Sequence, residues 1–276
     1  MGESGLPVTK AGQTLLHRAH SVHANPSNKD FHVKSLNSLA LAMFGRAGLS
    51  VVRKPLPGSV SRELARLIRA AQIDVVLDVG AHHGEFAKSL REGLKFEGRI
   101  VSFEPGSENV TILKNVADRD PKWTVRHEAL GDANDELNLL LMGHSSAHSF
   151  HQPSEYGRQT CGLPFGSVGS EKVPVLRLDT IWAELRLDGS TAMLKVDTQG
   201  HDLAVLRGCG DRLRAFRVVV LEASNRAIYE DIPQLMDYLS FMQSHGFELT
   251  GTFPIRRDGQ HVIEFDCTFV RLDATR

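Results

Sequence analysis

From residue 59 onward, short apolar runs alternate with segments whose apolar residues recur every three or four positions. Val75-Val76-Leu77 and residues 99–103, 123–126, 191–196 and 217–221 are of the first kind. Residues 61–71, a segment starting at Glu85, and residues 108–117, 180–185, 202–206 and 233–245 are of the second, with Ser61 as the expected N-cap of the first. Such an order builds an open parallel sheet covered by helices on both faces, because strands flanked by crossover helices have no solvent face to keep polar. The end of the chain breaks the pattern. Residues 247–250 and 262–270 flank the turn signal Asp258-Gly259 with no helix between them, which predicts an antiparallel hairpin. Residues 137–142 and 173–176 are predicted strands on either side of a long polar segment. The fold class is therefore α/β, a mostly parallel sheet closed by a C-terminal antiparallel hairpin.

A length of 276 residues allows one large domain or two small ones. Residues 1–30 carry no hydrophobic period and read as a flexible lead-in, and 31–58 as a helical preamble with one helix over 34–47. The preamble suits a cover or a homodimer arm, leaving 59–276 as the α/β domain. The charges, 32 Lys plus Arg against 33 Asp plus Glu, nearly cancel, which excludes the electrostatic footprint of a nucleic-acid binder. No apolar stretch of about 18 residues is present, so no membrane span is expected. Cys161, Cys209 and Cys267 form an odd, scattered set that fits a reducing compartment, and the N-terminus lacks an apolar signal core. A cytoplasmic location is expected.

The segment from Val75 to Gly84, Val-Val-Leu-Asp-Val-Gly-Ala-His-His-Gly, lies where an apolar strand hands over to a helix, the edge at which ligands bind in open α/β sheets. Gly80 and Gly84 permit a tight turn and close approach to backbone N–H groups, and Asp78 sets a carboxylate just before it. A dinucleotide-binding oxidoreductase would need G-x-G-x-x-G, whereas here His82 occupies the middle glycine position. A carboxylate in the loop suits a cationic ligand end better than a diphosphate, which favours S-adenosylmethionine with its ammonium and sulfonium. Glu104, in Phe103-Glu104-Pro105 at the end of the next strand, is placed to accept from ribose hydroxyls. Further on, Glu128 would accept from the adenine amine and Ala129 or Leu130 pack its ring.

With these residues in hand, the chain resembles the FkbM-type S-adenosylmethionine-dependent methyltransferases over about residues 73–271. The resemblance rests on Leu77-Asp-Val-Gly-Ala-His-His-Gly84, Phe103-Glu-Pro105, Ala129-Leu-Gly-Asp132 and Leu194-Lys-Val-Asp-Thr-Gln-Gly-His-Asp202. Val205-Leu-Arg-Gly208, Leu221-Glu222, Ile228-Tyr-Glu230 and Gly246-Phe247 complete it. It implies the class I methyltransferase fold, whose final strand is reversed, and methyl transfer to hydroxyl groups, often on sugars or natural-product precursors. Two departures stand out. His82-His83 replaces Asn and a variable residue, and His201 occupies a position commonly Tyr or small.

A hydroxyl is a poor nucleophile, so a base at the carboxyl end of the fourth central strand is expected beside the methyl donor. Asp197 is the first choice and His201, with an ordinary pKa of about 6.5, the second. Glu222, ending the next strand, would orient the acceptor. Asp197 and Glu222 are hard donors of the kind Mg²⁺ takes, but no third carboxylate at an obvious spacing completes a set, so no metal ligand is assigned. Lys195 is expected either to pair with Asp197 or to form a structural ion pair. The polar stretch 143–170, with His144, His148 and His151, reads as a loop over the substrate edge, and Arg256-Arg257 as a candidate contact for an anionic group. The acceptor is expected to be a small molecule or glycan. A methyltransferase fold kept only as a binding subunit would have no need of Asp78, Gly80 and Glu104 together.

Overall fold

The computed structural model describes residues 59–160 and 166–272. The lead-in over 1–30, the helix within 31–58 with its dimer arm, and Cys161 lie outside the described residues. The described residues hold ten strands and seven α-helices. Helix α1 (Val60–Ala70) precedes β1 (Val75–Val79), α2 (Glu85–Lys88), β2 (Arg99–Phe103), α3 (Ser107–Ala117) and β3 (Trp123–Arg126). The middle of the chain holds β4 (Ala129–Leu130), β5 (Asp135–Met142), α4 (Glu155–Thr160) and β6 (Ser167–Leu176). The last part runs α5 (Leu178–Leu185), β7 (Ala192–Val196), α6 (Asp202–Gly208), β8 (Phe216–Ser224), α7 (Leu235–Ser244), β9 (Phe247–Asp258) and β10 (His261–Arg271).

Seven strands form one sheet in the order β3-β2-β1-β7-β8-β10-β9. β1 pairs in parallel with β2 and β7, and β7 with β8, while β10 runs antiparallel to both β8 and β9. All five residues of β1 and all five of β7 are buried, as strands covered on both sides must be. Alternation sends Val75, Leu77, Val79, Ala192, Leu194 and Val196 into one core, under α5, α6 and α7. Val76 and Met193 enter the other, under α1, α2 and α3. Asp78 and Lys195 follow them on that second face, directly opposite one another in the β1–β7 register.

The expected order of elements stands, with instructive differences in extent. The cap of α1 is Ser59, whose extended backbone lets its hydroxyl accept from the Arg62 N–H; Ser61 already lies inside the helix. β9 reaches Asp258, eight residues past its expected end, because most of this edge strand is exposed and carries no inward apolar alternation. β5 and β6 join β4 in a separate three-stranded sheet, order β4-β6-β5, inserted before β7. The stretch 143–160 is partly ordered into a 3₁₀ turn at Ser145–Ala147 and helix α4. Cys209 and Cys267 are free and buried. No helix among the described residues is long and apolar enough to cross a membrane.

Candidate active site

A cleft of about 580 Å³ opens at the carboxyl ends of the parallel strands, a size typical of small-ligand sites. Gly80 and His82 after β1, Glu104 after β2, Ala129 in β4, Asp197 after β7 and Glu222 in β8 all line it. The hairpin closes the far wall with Arg256 from β9 and Glu264 and Asp266 from β10.

The turn after β1 is specified sterically. Gly80 has φ +74°, and a Cβ there would stand 1.8 Å from the carbonyl oxygen of Asp197, so no other residue lets the two strand ends meet so closely. Gly84, expected at the cofactor, is instead a packing residue. A Cβ on it would lie 2.8 Å from the Trp123 ring, and it is not among the residues lining the cleft.

Asp78 also differs from its expected role. Its carboxylate is fully buried and lies 3.1 Å from Lys195 Nζ, with Ser102 Oγ donating to it at 3.4 Å. Burial pushes its pKa up and Lys195 opposes the shift. It does not line the cleft, so it reaches any ligand only through Lys195. Lys195 donates to Gly80 O at 2.9 Å and lies 3.5 Å from Asp197 Oδ2, which pins the glycine turn to the neighbouring strand end. The expected Lys195–Asp197 pair is present, and the deeper pair to Asp78 is the stronger structural element. Adjacent residues in a motif do not reveal which strand lies alongside, and this was hidden until the register was known.

Glu104 is 5% exposed, with burial pushing its pKa up. Its carboxylate accepts from the N–H of His82 at 2.8 Å, the N–H of Gly106 at 3.0 Å and Asn109 Nδ2 at 3.2 Å. Three of roughly four acceptor sites are thereby filled, leaving room for one further hydroxyl rather than two. Glu128 is turned to Arg126, which donates to it from Nε, and is not a cleft residue; the adjacent backbone instead brings Ala129 and Leu130 to the wall.

His201, the second candidate base, does not line the cleft. Its ring meets Phe150 edge-on at 4.9 Å and faces His151 at 6.0 Å. Burial, reinforced by His151, lowers its pKa to about 4. The ring fills a packing space beside Gly131, where an added Cβ would stand 3.0 Å from His201 Nε2.

Asp197 does face the cleft, with Oδ1 accepting from Gln199 Nε2 at 3.0 Å, and Gln199 Oε1 in turn accepting from the Tyr229 hydroxyl at 3.0 Å. The stretch after β5 is tied down beside this chain: Ser149 Oγ donates to Gln199 O at 2.7 Å and Ser145 Oγ meets His82 Nε2 at 2.8 Å. Glu222 carries a carboxyl raised by burial and by the nearby Asp197 and Glu264. Asp266, absent from the sequence reading, is raised to about 6 by burial and by Asp197. Arg256 is engaged by Glu264, Nε to Oε2 at 2.8 Å, which leaves less of its charge for an anionic ligand. The alternation of Glu264 and Asp266 along β10 was the available signal, but only pairing to β8 shows which edge they reach.

The model of the methyltransferase FkbM domain matches residues 78–249. The chain belongs to the FkbM methyltransferase family. It has the class I methyltransferase fold, and solved methyltransferases similar to it hold S-adenosylmethionine or S-adenosyl-homocysteine. This FkbM-family chain is similar to a solved FkbM methyltransferase from Methylobacillus flagellatus, with 20% identity over 71% of the chain and a TM-score of 0.47. It spans 43% of that protein's length, less than half. Magnesium protoporphyrin IX methyltransferase from Synechocystis, solved with bound SAM, is similar at 10% identity, TM-score 0.41, covering 76% of this chain and 77% of its own. TrmK from M. capricolum, solved with S-adenosyl-homocysteine, gives 11% identity, TM-score 0.38, and coverages of 75% and 67%. No curated protein matches the sequence.

Proposed function

We propose that this protein transfers a methyl group from S-adenosylmethionine to a hydroxyl of a small-molecule or glycan acceptor. The residues present fit the donor. Glu104 keeps one acceptor site for a ribose hydroxyl, Ala129 and Leu130 give an apolar wall for a base, and Gly80 and His82 bring backbone to the cleft. Bound S-adenosylmethionine supplies an electrophilic methyl carbon.

The observation that carries the oxygen assignment is the row of carboxylates Asp197, Glu222 and Asp266 along one wall of the cleft. An alcohol must lose its proton as it attacks, and a carboxylate in hydrogen-bond reach is a suitable acceptor, contributing ~10²–10⁴-fold. Asp197 takes that proton in this reading. Gln199 and Lys195 hold its two oxygens, so its orientation is fixed before the acceptor arrives. Glu222 and Asp266 orient the acceptor and receive hydrogen bonds from neighbouring hydroxyls. The ordered stretch 145–149, bound to His82 and Gln199, keeps water from the reacting atoms.

Mg²⁺ is not part of this reading. Among the described residues the grouping whose three ligand atoms come close enough to share an ion is His82, His83 and Glu85, not the carboxylate row. The test is transfer of a trideuteromethyl group from labelled S-adenosylmethionine into a metabolite extract, followed by mass spectrometry. An oxygen-linked label on a hydroxylated product is expected, and label found only on nitrogen or carbon would refute the oxygen assignment.

A further inference from the structure

The paired imidazoles of the glycine turn take no part in the chemistry proposed above, and their surroundings are unusual. His82 and His83 stack with ring centroids 3.7 Å apart and planes 19° from parallel. Glu85 Oε2 lies 3.3 Å from His82 Nδ1, and one nitrogen or oxygen from each of the three residues lies within 4.8 Å of the other two.

The partners of these rings fix which nitrogens are free. Asn109 donates its Nδ2 to Glu104, so its Oδ1 is the atom 3.1 Å from His83 Nε2 and must accept there. His83 is therefore protonated on Nε2 and keeps its lone pair on Nδ1. His82 Nε2 meets Ser145 Oγ at 2.8 Å, and Nδ1 donates to the Glu85 carboxylate at 3.3 Å, a proton that an arriving ion would displace. Each ring thus has one nitrogen anchored by a second partner, as metal-binding imidazoles commonly do. Two imidazoles and one carboxylate, open to solvent on the Glu85 side, suit a borderline ion such as Zn²⁺ with water as a further ligand.

We propose that His82, His83 and Glu85 form a transition-metal site on the cofactor turn, and that a divalent ion there weakens binding of S-adenosylmethionine. The second clause rests on the cofactor reading; the first does not. His82 also lines the cleft and its N–H holds Glu104, so the ion and the donor share one turn. Two positive charges at that turn oppose a ligand carrying its own sulfonium and ammonium, and the linkage is reciprocal.

The full chain, stripped with chelator, is equilibrated with Zn²⁺, and bound metal is counted by plasma mass spectrometry. Wild type is expected to hold one equivalent more than His83→Ala/Glu85→Gln, with Glu85→Gln alone binding that equivalent at least tenfold more weakly. Glu85 is an exposed side chain, so this single variant folds as wild type does, checked by its thermal midpoint. Co²⁺ in place of Zn²⁺ should give visible absorption that disappears in the double variant. Equal metal uptake by wild type and double variant overturns the site. Calorimetry with S-adenosylmethionine is expected to show a Kd at least threefold higher with Zn²⁺ in wild type and no change in the double variant. An unchanged or lower Kd overturns the linkage, whereas failure to bind S-adenosylmethionine even without metal overturns the cofactor reading and leaves the metal count standing.

Discussion

Substituting Lys195→Met removes the ammonium and keeps most of the apolar stem, which isolates the value of the buried pair with Asp78. The Asp78 side chain has no exposure and that of Lys195 only 10%, so solvent screens the pair little. Removing one partner of such a pair costs ~3–5 kcal/mol, because the other is left charged in the interior. Asp78 can escape by taking up a proton, and this sets a pH-dependent ceiling on the loss. An unfolded Asp titrates near ~3.9, so forcing protonation costs about 1.4 kcal/mol for each pH unit above that. The ceiling is then ~1.5 kcal/mol at pH 5 and ~5.6 at pH 8, where the direct cost of the bare charge takes over. The sign follows from linkage. With Lys195 gone, the folded pKa of Asp78 lies above its unfolded value, so the folded state binds the extra proton and stability falls as pH rises from about 4. Urea unfolding of Lys195→Met should show a loss of ~3–5 kcal/mol at pH 8 and no more than ~1.5 at pH 5. For a domain of this size the pH 8 loss corresponds to a midpoint lowered by roughly 6–20 °C. Adding Asp78→Asn should recover most of the pH 8 loss. A variant that loses less than ~1 kcal/mol at pH 8, or equally at both pH values, would refute the reasoning.

Gly80→Ala places a Cβ 1.8 Å from Asp197 O at a φ of +74°, so S-adenosylhomocysteine binding measured by calorimetry should be lost. Glu104→Gln should weaken the same ligand by ~1.5–3 kcal/mol, and an unchanged Kd would remove its proposed contact with the ribose. Asp197→Asn should cut initial rates ~10²–10⁴-fold on the acceptor found by isotope labelling, with cofactor affinity kept; full activity would clear it as the base. His201 titrates near 4 in the folded protein and near ~6.5 unfolded, so the unfolded chain binds more protons between these values. Stability should therefore fall as pH drops through that window, by up to about 1.4 kcal/mol per unit, and His201→Phe should flatten this part of the urea-unfolding profile.

Strands were legible where apolar residues cluster in a short run between helical segments: Arg99–Phe103 and Trp123–Arg126 have the bounds the sequence predicts. β9 was not, since an exposed edge strand with Pro254 and Arg256 carries no burial signal. At the site, local motifs predicted which residues sit at the strand ends but not how they face. Asp78 and Glu128 carry the right chemistry for a ligand, yet Lys195 and Arg126 reach them first. His201 had the right spacing from Asp197, but the space beside Gly131 takes its ring. Asp266 went unread because its contribution depends on a hairpin folding back beside β8, a non-local event that no short window contains.

The register that sets Asp78 against Lys195 bears on when the protein becomes able to bind its cofactor. The glycine turn is encoded early in the chain, but the ammonium that holds it comes from a strand reached only after β2, β3 and the whole β4-β6-β5 sheet. Pairing β1 with β7 closes a long loop, and such non-local parallel contacts form slowly. A nascent or truncated chain that ends before β7 carries the turn's sequence without the contacts that shape it. Cofactor binding thus reports on completion of the central sheet, and a ligand that binds only then draws the folding equilibrium toward the finished domain by mass action.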